Sequence, residues 1–466
     1  MEQKKYPASF VNNDEIDTTI DRNNRPSVER VKEILSKGQE AKGLSMDEVA
    51  ALTNLSDPEL LGELFSAARQ VKETIYGRRL VIFAPLYISN LCRNECSYCA
   101  FRVRNKSVKR RALNQSEIAL EVERLVAEGH KRILLVAGES YPEEGFDYVL
   151  QSLRTVYGVR NGHGEIRRVN VNVAPLSVEE FSRLKNERIG TYQLFQETYH
   201  RDTYAKVHLA GKKADYDYRV MAMHRAMEAG IEDVGIGVLF GLYDWRFEVL
   251  ALLQHIAELE RCHGVGPHTI SVPRLEPATG SDLATHPPFG VSDVEFRKLV
   301  AILRLAVPYT GIIMSTRETA AIRRESFALG VSQISAGSRT NPGGYAEGGE
   351  EDAAQFSLGD HRSLEEVIRD VTSLGYIPSF CTGCYRLGRV GADFMDLAKP
   401  GEIRHHCDPN AVSTFAEYLM DYASPKTRDL GLSAIEQMIA GMDDKAARIS
   451  RSLLEKVKQG SRDVYC

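Results

Sequence analysis

From about residue 81 the chain settles into a rhythm in which short apolar runs alternate with longer amphipathic stretches. The apolar runs at 80–83 with 86–88, 132–136, 168–173, 191–195, 233–240, 268–272, 311–314 and 331–335 read as strands. Between them, 115–129, 177–187, 215–230, 246–262, 292–305 and 316–329 carry apolar positions at helical spacing. Strands alternating with helices predict an α/β fold with a parallel sheet, and eight strands close a complete TIM-type (β/α)8 barrel. An open doubly wound sheet would show the same alternation.

Residues 1–80 read as a helical extension. Ser27 is a loose cap before Val31, Ile34 and Leu35, while Ser45-Met-Asp-Glu48 and Ser56-Asp-Pro-Glu59 fit capping boxes. Leu60, Leu61, Leu64, Ala67 and Ala68 then recur at helical spacing. At the other end, 337–360 is rich in Gly, Asn, Glu and Asp and predicts a loop that closes the barrel region. Helices are expected at 363–374, near 409–422 and over 430–458. The resulting division is 1–80, 81–360 and 361–466, the last a helical region carrying a second group of cysteines.

Composition narrows the class. Charged residues make up 26% and hydrophobic residues 43%, ordinary for a globular protein. A net charge of −5 argues against general nucleic-acid binding. No run of about 20 apolar residues predicts a membrane span, and the first segment lacks the apolar core of a secretory signal. A cytoplasmic location is expected, where thiols stay reduced and a disulfide framework is disfavoured. Six of the eight cysteines nevertheless cluster: Cys92, Cys96 and Cys99, then Cys381, Cys384 and Cys407, with Cys262 and Cys466 alone. Clustered cysteines in such a chain read first as metal sites.

Cys92-Arg-Asn-Glu-Cys96-Ser-Tyr-Cys99 follows the first candidate strand, at the face where (β/α)8 enzymes carry their chemistry. Three thiolates can hold three irons of a [4Fe–4S] cluster and leave the fourth open. The alternative, structural zinc, wants four ligands and finds no nearby histidine. The CxxxCxxC spacing, with Tyr98 before the last cysteine, resembles the radical S-adenosylmethionine (SAM) superfamily signature. That resemblance implies that the open iron chelates SAM. It also assigns SAM contacts to Ala137, Gly138 and Glu139, to the acidic Glu197 after the fourth strand, and to Arg219, a partner for the SAM carboxylate. Gly235-Ile-Gly-Val-Leu-Phe-Gly241 resembles the glycine-containing fifth strand beneath the adenosyl group.

Cys381-Thr-Gly-Cys384 and Cys407 form a CX2CX22C pattern, with His405 and His406 adjacent. On ligand types alone it could be a CCHC zinc site or a second cluster with an open iron. Together with the first group, it resembles the HydG family of [FeFe]-hydrogenase maturases; the related thiazole-pathway tyrosine lyases, ThiH, lack this C-terminal group. The resemblance implies a radical SAM carbon–carbon lyase that converts L-tyrosine to p-cresol and dehydroglycine and makes carbon monoxide and cyanide for the hydrogenase H-cluster. It also implies an auxiliary [4Fe–4S] cluster with an additional iron (a possible five-iron centre) and a bridging L-cysteine. A ferredoxin- or flavodoxin-type electron donor and other hydrogenase maturation proteins are the implied partners. His268 is the candidate ligand of the additional iron, at the barrel face opposite the SAM cluster. For tyrosine, Arg317 is the candidate carboxylate partner with Ser315 or Thr319 assisting, and Arg323 and Arg324 are its competitors. A non-enzymatic iron–sulfur scaffold is the remaining class.

Overall fold

The structure, a computed structural model, describes residues 10–348 and 353–466. Eight parallel strands run in chain order: β1 (Arg79–Ser89), β2 (Arg132–Ala137), β3 (Arg168–Asn172), β4 (Tyr192–Gln193), β5 (Val234–Gly237), β6 (Thr269–Ser271), β7 (Gly311–Met314) and β8 (Val331–Ser335). Each pairs with the next, and β8 returns to β1 through Val81↔Gln333, Ile82↔Ile334 and Phe83↔Ser335. The sheet is a closed barrel, so the open doubly wound alternative falls away. A ninth strand, β9 (Ile377–Ser379), lies outside the closure and pairs with the start of β1, Arg79↔Ile377 to Val81↔Ser379.

Several expected boundaries move. The runs at 80–83 and 86–88 are one strand, with Pro85 in register opposite Leu134. The runs at 191–195, 233–240 and 268–272 give shorter ladders, continued only by isolated bridges such as Glu197↔Val238 and Phe240↔Arg274. Beyond β4 the chain turns at Glu197, which adopts a left-handed φ of 72°. The expected helix at 215–230 breaks at Met221 into Tyr216–Val220 and Ala222–Glu228. That at 430–458 divides into Pro425–Ala440 and Asp444–Lys458, where the Asp443 carboxylate caps the second by accepting from the Lys445 and Ala446 amides. The expected 316–329 helix starts at Ala320.

At the N-terminal side, the Ser45/Glu48 capping box forms. The second expected box does not. Asp57, not Ser56, caps Pro58–Tyr76, because Pro58 occupies the first turn and the helix begins one residue later. This helix buries Leu60, Leu64, Ala67, Ala68 and Val71 and packs against Asp293–Ala306 and Ala320–Leu329 on the barrel exterior.

Candidate functional site

The loop after β1 is held from several sides. The Arg110 guanidinium donates to the carbonyls of Asn90, Phe101, Arg102 and Asn105 at 2.5–3.1 Å. Ser97 N–H donates to Val207 O and Glu95 N–H to Ala210 O, both at 2.9 Å. The turn after β2 packs directly beneath: a Cβ on Gly138 would lie 2.2 Å from the Leu91 carbonyl oxygen. Only glycine permits this approach. The loop's three thiols line a cavity of about 180 Å³ at the carboxyl end of the barrel. Burial pushes Cys92 up to about 11 and raises Cys96 and Cys99 as well. Ligation would therefore release their protons.

The donor set fits a polynuclear cluster better than a single zinc. Tetrahedral zinc at Zn–S distances of about 2.3 Å would bring its sulfurs to about 3.8 Å of one another. Among the described residues neither cysteine triad has all three sulfurs within 4.8 Å of one another. A cubane, whose ligated corners stand apart, suits this spread.

Tyr98, Ala137, Gly138, Glu139, Glu197 and Arg219 all line the same cavity. Arg219 donates to Glu139 Oε1 at 2.9 Å and to the Phe195 carbonyl at 2.8 Å, and stands 3.5 Å from Glu197. Burial would raise the Glu139 pKa, but Arg219 and Lys213 outweigh it and hold the carboxyl below its ordinary range. Tyr98 pairs its hydroxyl with His208 Nε2 at 2.8 Å. The sequence reading missed Lys213, which donates to Glu197 Oε1 at 2.6 Å. It also missed Tyr87 and Gln355, joined at 2.7 Å, with Gln355 Nε2 3.9 Å from Cys99 Sγ.

Of the residues expected to meet a substrate carboxylate, Ser315 and Arg317 line the cavity, with the Arg317 guanidinium 3.2 Å from the Phe356 ring centroid. Thr319 is placed elsewhere: it is the N-cap of Ala320–Leu329 and accepts from Ile322 N–H. The competitors are already engaged, Arg323 by Asp360 and the Ser335 carbonyl, Arg324 by Asp370 on the exterior. Glu276, also a lining residue, is pushed up to about 6 by burial and by Glu318.

At the opposite end of the barrel a second cavity is lined by Cys381, Cys384, Cys407, His268, Arg79 and Arg132, among others. Cys381 follows β9, Cys384 sits in the turn Gly383–Arg386, and Cys407 lies in the first turn of Arg404–Asp421. The Cys384 thiol pulls Cys407 below its ordinary range against its burial, with Arg79 adding to the effect. Arg132 donates to the Cys381 carbonyl at 2.5 Å. His268 places Nε2 3.2 Å from the Tyr385 hydroxyl and Nδ1 3.6 Å from Asp233. Burial lowers its pKa, which favours the neutral imidazole a metal requires. Neither His405 nor His406 lines this cavity; His405 pairs with Asp443 at 3.2 Å near the surface. The CCHC zinc reading therefore loses its histidine.

A closed parallel barrel with a CxxxCxxC loop on its first strand defines a radical SAM protein, and the Radical SAM superfamily matches residues 86–253, followed by the Biotin and Thiamin Synthesis associated domain at 271–377. The 2-iminoacetate synthase of Escherichia coli (strain K12) is 32% identical over 351 residues, 75% of this chain and 90% of that protein. A crystal structure of HydG, a maturase of the [FeFe]-hydrogenase, is 46% identical with a TM-score of 0.95, covering 98% of this chain and 100% of that one. HydG from Carboxydothermus hydrogenoformans is 40% identical with a TM-score of 0.84 over 97% and 100%. Within the superfamily, this chain belongs to the HydG family.

Proposed function

We propose that the chain is a SAM-dependent tyrosine lyase. It cleaves the Cα–Cβ bond of L-tyrosine to p-cresol and dehydroglycine and makes carbon monoxide and cyanide, delivered as an Fe(CO)(CN) unit for [FeFe]-hydrogenase assembly. The observation that carries this reading is the pair of thiol triads at opposite ends of one barrel, the lower one facing His268.

Cys92, Cys96 and Cys99 would hold the SAM-binding [4Fe–4S] cluster. Cys381, Cys384 and Cys407 would hold the auxiliary one, with His268 toward an additional iron and L-cysteine as its bridge. When bound, these groups supply one-electron and hydrogen-abstraction chemistry. The chain's own residues do the positioning. Arg219 and Glu139 present opposite charges suited to the carboxylate and amino groups of SAM, and Glu197 offers acceptors to its ribose. Arg317 offers a fork for the tyrosine carboxylate, with Ser315 beside it. The buried cavity walls keep water from the reacting atoms. Electrons would come from a ferredoxin- or flavodoxin-type donor, and the product would pass to other maturation proteins. No helix among the described residues is long and apolar enough to cross a membrane.

The 2-iminoacetate synthase relatives support a second reading, a lyase that supplies dehydroglycine alone. The C-terminal triad argues against it. The test is anaerobic reconstitution with iron and sulfide, followed by assay of p-cresol, 5′-deoxyadenosine, carbon monoxide and cyanide. A Cys381→Ser/Cys384→Ser variant should still make p-cresol but no iron-bound carbon monoxide or cyanide. Wild-type protein giving p-cresol with neither diatomic ligand would favour the second reading. Absence of 5′-deoxyadenosine would leave only a scaffold.

A further inference from the structure

One cluster of metal-ligating side chains lies away from both triads, on the outside of the barrel. His224, Glu258 and Cys262 place one imidazole nitrogen, one carboxylate oxygen and one sulfur all within 4.8 Å of one another. Glu258 and Cys262 are four residues apart on the helix Trp245–His263, so they share a face, and His224 reaches them from Ala222–Glu228. Cys262 Sγ stands 3.2 Å from Glu258 Oε1, and His224 Nε2 stands 3.9 Å from the same oxygen. Among the described residues this is the one group of three or more such side chains drawn so close together.

We propose that His224, Glu258 and Cys262 form a zinc-class site that clamps these two helices together. The donor chemistry points to this ion: thiolate, imidazole and carboxylate are the three ligand types a borderline-soft divalent cation accepts together. Closed tetrahedral ligation needs neighbouring donor atoms roughly 3.5 Å apart. The distances above already approach that value, so small side-chain rotations complete the set. The burial is graded: His224 is 1% exposed and Glu258 7%, while Cys262 is half-buried and gives the ion its entry path. His263, next in sequence, has its ring centroid 5.4 Å from that of His224 and lies outside the close group, so water would complete the four ligands.

Arg261 is the competitor. It donates to both Glu258 oxygens at 2.7–2.8 Å and stands 3.0 Å from Cys262 Sγ. Its side chain is 63% exposed, so it can swing into water at the modest cost typical of a surface ion pair. Burial and Glu258 raise the Cys262 thiol, and a cation in place of Arg261 would reverse that influence and release the proton. The helix then gains a cross-link near its end, where Gly264 turns it with a left-handed φ of 74°.

The test uses the enzyme with both clusters loaded, so that the six cluster cysteines cannot take up zinc. After incubation with zinc and gel filtration, elemental analysis should find about one zinc per chain in the wild type and in Arg261→Ala. Cys262→Ala and His224→Gln should retain less than a tenth as much. Zinc should raise the midpoint of thermal unfolding of the wild type and leave that of Cys262→Ala unmoved. Should Cys262→Ala fail to fold, Glu258→Gln read by the same zinc content replaces it. Equal zinc in wild type, Cys262→Ala and His224→Gln, or none in the wild type, would overturn the proposal.

Discussion

Lys213 Nζ meets Glu197 Oε1 at 2.6 Å, in a pocket where both side chains are about 10% exposed. The lysine comes from the short turn Lys212–Ala214 and the glutamate from a residue with left-handed backbone, so two irregular segments are fastened by one charge pair. Removing the lysine leaves the buried Glu197 charge with only Arg219, 3.5 Å away, to offset it, at a cost of up to about 3 kcal/mol. Lys213→Met should therefore lower stability in urea unfolding by up to that amount and weaken SAM binding at least tenfold. Arg219 alone, 3.5 Å from Glu197, cannot replace the contact. SAM affinity equal to wild type would remove Lys213 from the site.

Arg317 lies over Phe356 inside the upper cavity. Truncation to alanine should raise the KM for tyrosine tenfold or more, while SAM cleavage without substrate is unchanged. Arg317→Lys should recover only part, because an ammonium cannot make two parallel bonds to a carboxylate. An unaltered KM in Arg317→Ala rules out the assignment.

Gly138 approaches the Leu91 carbonyl so closely that any side chain must push the cysteine loop away. Gly138→Ala should fold, since the contact is local, but should lose a large part of its iron from the upper triad on reconstitution. The readout is iron per chain in a protein whose lower cysteines are already replaced. Full iron content would show that the loop yields without cost.

The buried imidazoles set an acid limit. Burial holds His130 at about 3, and burial with the neighbouring His224 holds His255 at about 3. Their unfolded value is about 6.5, so the unfolded chain binds more protons below that pH. The stability owed to burying them neutral is complete above pH 6.5 and drains away as pH falls toward 3. Each group should cost about 1.4 kcal/mol between pH 7.5 and 5.5. In urea unfolding at those two values, His130→Leu should show a smaller difference than wild type by about that amount; an equal difference would mean that His130 is protonated in the fold.

Much of this was legible in the sequence, and the reasons differ by residue. The cysteine triads and the strand rhythm are local patterns, so Cys92 to Cys99 and the eight barrel strands could be read directly. Glu139, Glu197 and Arg219 could be ordered by the strands they follow, and the structure brings them within contact. Lys213 could not be found this way, because a three-residue turn has no periodicity. Gln355 and Phe356 hid in a polar loop read only as a boundary. The ninth strand is three residues long and contains Pro378, too little for any propensity to register. His405 and His406 misled by adjacency: a helix turns about 100° per residue, so neighbours of Cys407 in sequence point away from it. Thr319 looked like a ligand because it sits near the barrel's carboxyl face, yet the next helix claims its hydroxyl.

The position of β9 against β1 has a consequence for distance. One end of β1 carries the upper cysteine loop, and the other is laced to the strand that delivers Cys381. The two thiol triads thus lie toward opposite ends of a single eleven-residue strand. At about 3.3 Å per residue and a barrel tilt of about 36°, that strand holds its ends about 27 Å apart along the axis. Pairing with β2, β8 and β9 at once forbids it to slip. The length of this one strand therefore sets the scale of the gap between the two ends of the barrel at which the thiols gather.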